Sequence, residues 1–228
     1  MFTPTRLILP TLALIAFAVA LLIDRPIAAA VHSQNLGSAI RSSPIAKVIK
    51  WPGDFHFTLA LAAIVVAADR KRWPVAPALV LAGILAGLSY TLVKWSVGRT
   101  RPFPRNAPQI PPFEFHPFQL GIEGLWRANN QAFPSGHSCL AFATAGVLSH
   151  FFPTARFAFY SVASIVGVER VLEGAHYPAD VVGGAIFGML SAWAAVRIIH
   201  RLFPNRDESH GFPVSLFSQP EGKPTSHD

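Results

Sequence analysis

Charge is what this sequence has least of. Only 14% of its 228 residues are charged, against about 25% in a soluble domain. The shortage excludes an ordinary soluble fold, because the charges gather in short stretches and leave long apolar runs between them. Cysteine is nearly absent. The lone Cys139 forbids an intrachain disulfide and a cysteine-based metal cluster. Lying within an apolar run, it reads as a small core residue. A continuous basic face is missing too. The net charge is +7, but the lysines and arginines flank apolar runs or fall within three short motifs. That pattern argues against nucleic acid as a partner and for an anionic membrane surface or substrate.

What is present is a series of six apolar runs: 7–23, 55–68, 75–93, 138–152, 157–168 and 181–199. They predict an all-α, integral membrane six-helix bundle over residues 1–204. The first run follows Arg6 like a signal peptide, but Leu22-Ile23-Asp24-Arg25 is a poor cleavage site, so it reads as a retained span. Residues 24–52 alternate Arg41, Lys47 and Lys50 with Ile40, Ile45, Val48 and Ile49. They read as an irregular amphipathic loop with short helices lying at the membrane interface. Trp51-Pro52-Gly53-Asp54 supplies an interfacial aromatic, a turn and a helix N-cap. Gly83 and Gly87 in the third run, at small-xxx-small spacing, point to close helix packing. Prolines 102, 104, 108, 111, 112 and 117 exclude regular helix from most of the stretch 98–131. Residues 205–228 are expected to be a disordered cytoplasmic tail.

Six runs place both termini on one side. The Arg70-Lys71-Arg72 cluster and the basic group from Arg197 to Arg206 put that side in the cytoplasm. By parity, the end of run three, the start of run four and the link between runs five and six then share the opposite face. Those are the sites of three motifs: Lys94-x6-Arg101-Pro102, Pro134-Ser135-Gly136-His137 and Arg170-x5-His176-x3-Asp180. Lys94 reads either as a snorkelling interfacial lysine or as a site cation. Arg101, held by Pro102, offers a guanidinium fork that matches phosphate oxygens. Ser135 is a natural N-cap, and Gly136 allows an anion to approach the helix amides. Asp180, in the first turn of the last helix behind Pro178, is placed either to orient His176 as a triad carboxylate does or to complement the helix dipole.

In order and spacing these blocks resemble the three-part signature of the type 2 phosphatidic acid phosphatase (PAP2) superfamily, and the six runs resemble its membrane branch. One departure is Glu169, where that family usually has Ser. The resemblance implies a metal-independent phosphatase without a cofactor. His176 attacks phosphorus and forms a phosphohistidine. Asp180 orients it, and His137 protonates the leaving oxygen. Lys94, Arg101, Arg170, Ser135 and Gly136 hold the phosphoryl oxygens. Among twelve acidic residues, only Glu169, Glu173 and Asp180 lie in or beside the blocks, which does not suggest a carboxylate-bound metal pair. The expected activity is hydrolysis of a lipid phosphate at the outer face of a bacterial inner membrane. Undecaprenyl diphosphate is favoured because the chain is compact. Phosphatidylglycerophosphate, phosphatidic acid and lipid A phosphate are alternatives, as is transfer of phosphate between lipids. A non-enzymatic transporter or assembly subunit would require all three motifs to be incidental.

Overall fold

The computed structural model describes residues 5–68, 73–102, 114–118 and 131–204. The Arg70-Lys71-Arg72 cluster, the segments 103–113 and 119–130, and the tail 205–228 lie outside these. Among the described residues the elements are α-helices: α1 (Thr5–Ser33), α2 (Leu36–Ser42), α3 (Pro44–Ile49), α4 (Phe55–Ala68), α5 (Val75–Val97), α6 (Gly136–Phe151), α7 (Arg156–Leu172) and α8 (Pro178–Leu202). Short 3-10 turns at Trp51–Gly53 and Pro153–Ala155 complete the set. This is an all-α membrane protein. α1, α5 and α8 are long and apolar enough to cross a bilayer, and the bent pair Pro44–Gly53 and Phe55–Ala68, 68° apart, makes a fourth candidate span. α6 and α7 have only 16 and 17 residues.

Most elements start and stop where local chemistry demands. Ser43 caps α3 by accepting from the Ala46 amide, with Pro44 in the first turn. Ser135 caps α6 by accepting from the Ser138 amide. α5 runs three residues past the charge at Lys94 and is capped by Gly98, whose left-handed conformation (φ 58°) turns its amide back to the Lys94 carbonyl. No side chain fits at Gly98, because a Cβ there would collide with the His116 carbonyl. The chain beyond then pairs with its own return: Thr100 and His116 amides donate to the Glu114 and Gly98 carbonyls at 3.1 and 2.9 Å.

The first span departs most from expectation. α1 does not stop at Ile23 but continues through Asp24, Arg25 and Pro26 to Ser33. Asp24 is fully buried because the fold supplies partners for it, described below. Residues 24–33 are therefore a helix end and not loop, while the short helices expected after them are α2 and α3.

α6 sits at the centre, packed against α5, α7 and α8, with α4 on α5 and α1 on α8. Its core includes Leu79, Ala82, Cys139, Ala143, Val147, Ala192 and Ala195, which confirms Cys139 as a packing residue. Gly184 and Gly188 bring α8 against the α6 backbone, where any Cβ would meet the Ser135 and Cys139 carbonyls. Gly83 similarly admits the Phe55 ring of α4, whereas Gly87 faces open space, so only half of the expected glycine pair makes a contact. A Thr58–Thr144 hydroxyl bond of 2.9 Å ties α4 to α6. Outward faces carry Leu14, Leu22, Leu92 and Phe157, all more than half exposed, as helices bathed in lipid require.

Candidate active site

The three motifs converge at one end of the bundle. α8 begins at Pro178, and the link Glu173–Tyr177 before it holds His176, 4% exposed. The Ser135 amide donates to the Asp180 carbonyl at 2.9 Å, which fixes the start of α6 against the start of α8. The Ala132 amide bonds to the Arg99 carbonyl at 2.9 Å and brings the third segment in.

His176 Nδ1 lies 2.7 Å from the Ala132 carbonyl oxygen. A carbonyl only accepts, so Nδ1 carries the proton and Nε2 keeps its lone pair. Burial, and then the positive charges of Arg101, Lys94 and Arg170, hold the His176 pKa well below its ordinary value of 6.5. The ring is neutral in a cationic setting. The expected hydrogen bond from His176 to Asp180 is replaced by this carbonyl contact. The nearest Asp180 oxygen is 3.7 Å from Nδ1, close enough to act by charge. Asp180 spends its hydrogen bonds elsewhere: Oδ2 accepts from the Tyr177 amide at 2.8 Å and Oδ1 from Arg99 Nη1 at 2.5 Å.

Arg99 and Asp24 were not among the sequence candidates. The Arg99 guanidinium is buried between Asp24 and Asp180, at 2.5 Å from each, and stacks 4.3 Å from the Tyr177 ring centre. Asp24 also accepts from the Ala179 amide at 2.8 Å, at the N-terminus of α8. One arginine thus links α1, the segment after α5, and α8. A carboxylate with apolar neighbours on both sides (Leu22-Ile23 before, Ile27-Ala28 after) was the one available signal for Asp24.

The remaining candidates fall around His176. Lys94 is half-buried at the end of α5, its Nζ 5.2 Å from the Tyr90 ring centre. Arg101 is half-buried just beyond. Ser135 is fully buried and accepts from the Ser138 hydroxyl at 2.9 Å. Gly136 opens α6, with the Tyr90 ring at ordinary contact distance from a would-be Cβ. His137 Nε2 is 3.3 Å from Asp54. Arg170 is buried and gripped by Glu169 at 2.5 and 2.6 Å, with Glu173 at 2.5 Å. That accounts for Glu169: it is a counter-ion of Arg170. Among the described residues, no three His, Cys, Asp or Glu side chains stand together as metal ligands.

The sequence model of the PAP2 superfamily matches residues 74–204. This chain belongs to the PAP2 superfamily. It is similar to lipid A 1-phosphatase of Rhizobium etli, 37% identical over 138 residues, which cover 58% of this chain and 54% of that protein. It is also similar to the bacitracin transport permease protein BcrC of Bacillus licheniformis, 34% identical over 79 residues, 32% of this chain and 39% of that one. The chain spans about half the length, or less, of the curated relatives it matches. Its fold is like that of Aquifex aeolicus LpxE, with a TM-score of 0.51 at 22% identity over 72% of this chain and 94% of that one. The PAP2 match includes all three motifs and leaves out α1–α4, which contribute Asp24 and Asp54.

Proposed function

We propose that this chain is a membrane lipid phosphatase working through a phosphohistidine. The observation that carries the reading is His176: its Nδ1 proton is committed to the Ala132 carbonyl, and three cations surround the ring. In the first step Nε2 attacks phosphorus and the bond from phosphorus to the lipid oxygen breaks. His137 gives that oxygen a proton. In the second step His137 takes a proton from water, the hydroxyl adds to phosphorus, and the phosphorus–nitrogen bond breaks to release phosphate. Lys94, Arg101 and Arg170, with Ser135 and the Gly136 amide, neutralise and orient the phosphoryl oxygens, which is most of what this reaction needs. Asp180 favours the charge that His176 acquires. No step calls for a metal or a cofactor.

For the substrate, the names of two similar proteins, both lipid A 1-phosphatases, support a lipid A phosphate over the undecaprenyl diphosphate expected from compactness. The same reading places the site at the outer face of a bacterial inner membrane and all six runs across it. The test is phosphate release by purified protein from a panel of lipid A, undecaprenyl diphosphate, phosphatidylglycerophosphate and phosphatidic acid, repeated in EDTA and with an acceptor lipid. Lipid A is expected to give the highest kcat/KM, with EDTA harmless and no phosphate passed to the acceptor. His176→Ala is expected to lose at least about 10³-fold in rate. Full activity in that variant would overturn the mechanism, and a higher kcat/KM for the diphosphate would overturn the substrate.

A further inference from the structure

His137 has its own acid, brought from outside the region shared with the family. The 3-10 turn Trp51–Gly53 packs against the start of α6. It comes so close at Gly53 that a Cβ there would lie 2.8 Å from both the Cβ and the carbonyl oxygen of His137. The next residue, Asp54, precedes α4 and by sequence should cap it. Its main-chain carbonyl opens the helix in the ordinary way, accepting from the amides of Phe57 and Thr58 at 3.1 and 3.4 Å. The carboxylate turns away to stand 3.3 Å from His137 Nε2. It is 44% exposed and His137 is 32% exposed, so the pair meets both the site and the solvent.

We propose that Asp54 is the positioning residue for His137, holding the ring through Nε2 and stabilising the imidazolium whose Nδ1 protonates the leaving lipid oxygen. This rests on the phosphatase reading above and extends it. The other ionisable groups facing His137 are Lys50 at the end of α3, Lys94 of α5, Arg170 of α7 and His176 before α8. Burial first, and then the charges of Arg170, Lys50 and Lys94, disfavour a further positive charge. A bound phosphoryl group offsets Lys94 and Arg170. Asp54 supplies the negative charge on the remaining side, where no phosphate oxygen is needed. The proton count closes over the cycle. Nδ1 loses its proton to the lipid oxygen in the first step and regains one from water in the second, while the proton on Nε2 stays with the pair throughout.

The test compares Asp54→Asn with wild type in full-length, detergent-purified protein, on two substrates. Lipid A leaves through a basic sugar oxygen that must be protonated. p-Nitrophenyl phosphate leaves as a stable phenolate that needs no acid. Asp54→Asn is expected to lower kcat on lipid A at least about tenfold, to leave the p-nitrophenol burst, which precedes the water step, within roughly twofold, and to move the basic limb of the lipid A profile to lower pH. Asp54→Glu should recover part of the loss. An equal loss in the p-nitrophenol burst would reduce Asp54 to a structural role, and an unmoved basic limb would overturn the pairing. If wild type hydrolyses neither substrate, the phosphatase reading itself fails. Histidine nitrogen NMR with bound vanadate then decides the pairing: His137 must deprotonate at lower pH in Asp54→Asn than in wild type, and an unchanged titration refutes it.

Discussion

Two buried arginines, Arg99 and Arg170, are each held by two carboxylates at almost the same distances. Their partners differ in origin. Arg99 bonds Asp24 and Asp180, 75 and 81 residues away. Arg170 bonds Glu169 and Glu173, its neighbours at i−1 and i+3. Breaking the first set separates α1, the end of α5 and α8. Breaking the second disturbs one turn at the end of α7. Arg170 can therefore change partners without loosening the bundle, whereas Arg99 has no such freedom. For a buried cation in a membrane fold, the sequence distance to its counter-ions says more about its task than their number does.

The largest effect should come from Arg99. Arg99→Met leaves Asp24 and Asp180 buried without their cation and should cost about 3–5 kcal/mol, read as a lowered melting temperature in detergent. Adding Asp24→Asn should recover part of it, and a melt unchanged by Arg99→Met would erase the contrast between the two arginines. Arg170→Ala should instead lower kcat/KM on the preferred lipid by about 10²–10³-fold, the scale of one lost charge-stabilising contact, with a smaller shift in melting. His176 gives a pH prediction. Its folded pKa is depressed, so the neutral nucleophile persists below the ordinary value of 6.5. The acid limb of kcat/KM assigned to His176 should lie below that pH, and the unfolded state, which binds the proton first, should gain on the folded one as pH falls through it. The smallest effect is assigned to Glu169→Ser. Freeing Arg170 from one counter-ion should tighten inhibition by inorganic phosphate roughly fivefold, about 1 kcal/mol, with no loss of fold. Weaker inhibition would show that Glu169 holds Arg170 in its working pose.

Much of this was legible in the sequence where local chemistry is decisive. α4 matches the run 55–68, and Pro178 and Ser135 open α8 and α6 as read. Errors came from treating charges as ends. Asp24 and Lys94 both lie within longer helices, because burial with a partner or placement near a site makes a charge tolerable there. The gathering of His176 with the motif cations was visible, but its Nδ1 partner was not, since a main-chain carbonyl leaves no mark on composition. Arg99 was hidden in the spacer of a motif, and Asp54 had an adequate local explanation as a cap. Their roles depend on segments that the chain brings together only after folding.

Asp24 also bears on how the chain is assembled. It is the one acidic group within α1, a helix made early in synthesis, yet its partners Arg99 and the Ala179 amide emerge much later. Until Arg99 is made, α1 carries a carboxylate without its cation, and until α8 arrives it also lacks the Ala179 amide. α1 and the segment after α5 therefore work as the two halves of a clasp, which α8 closes through its Ala179 amide.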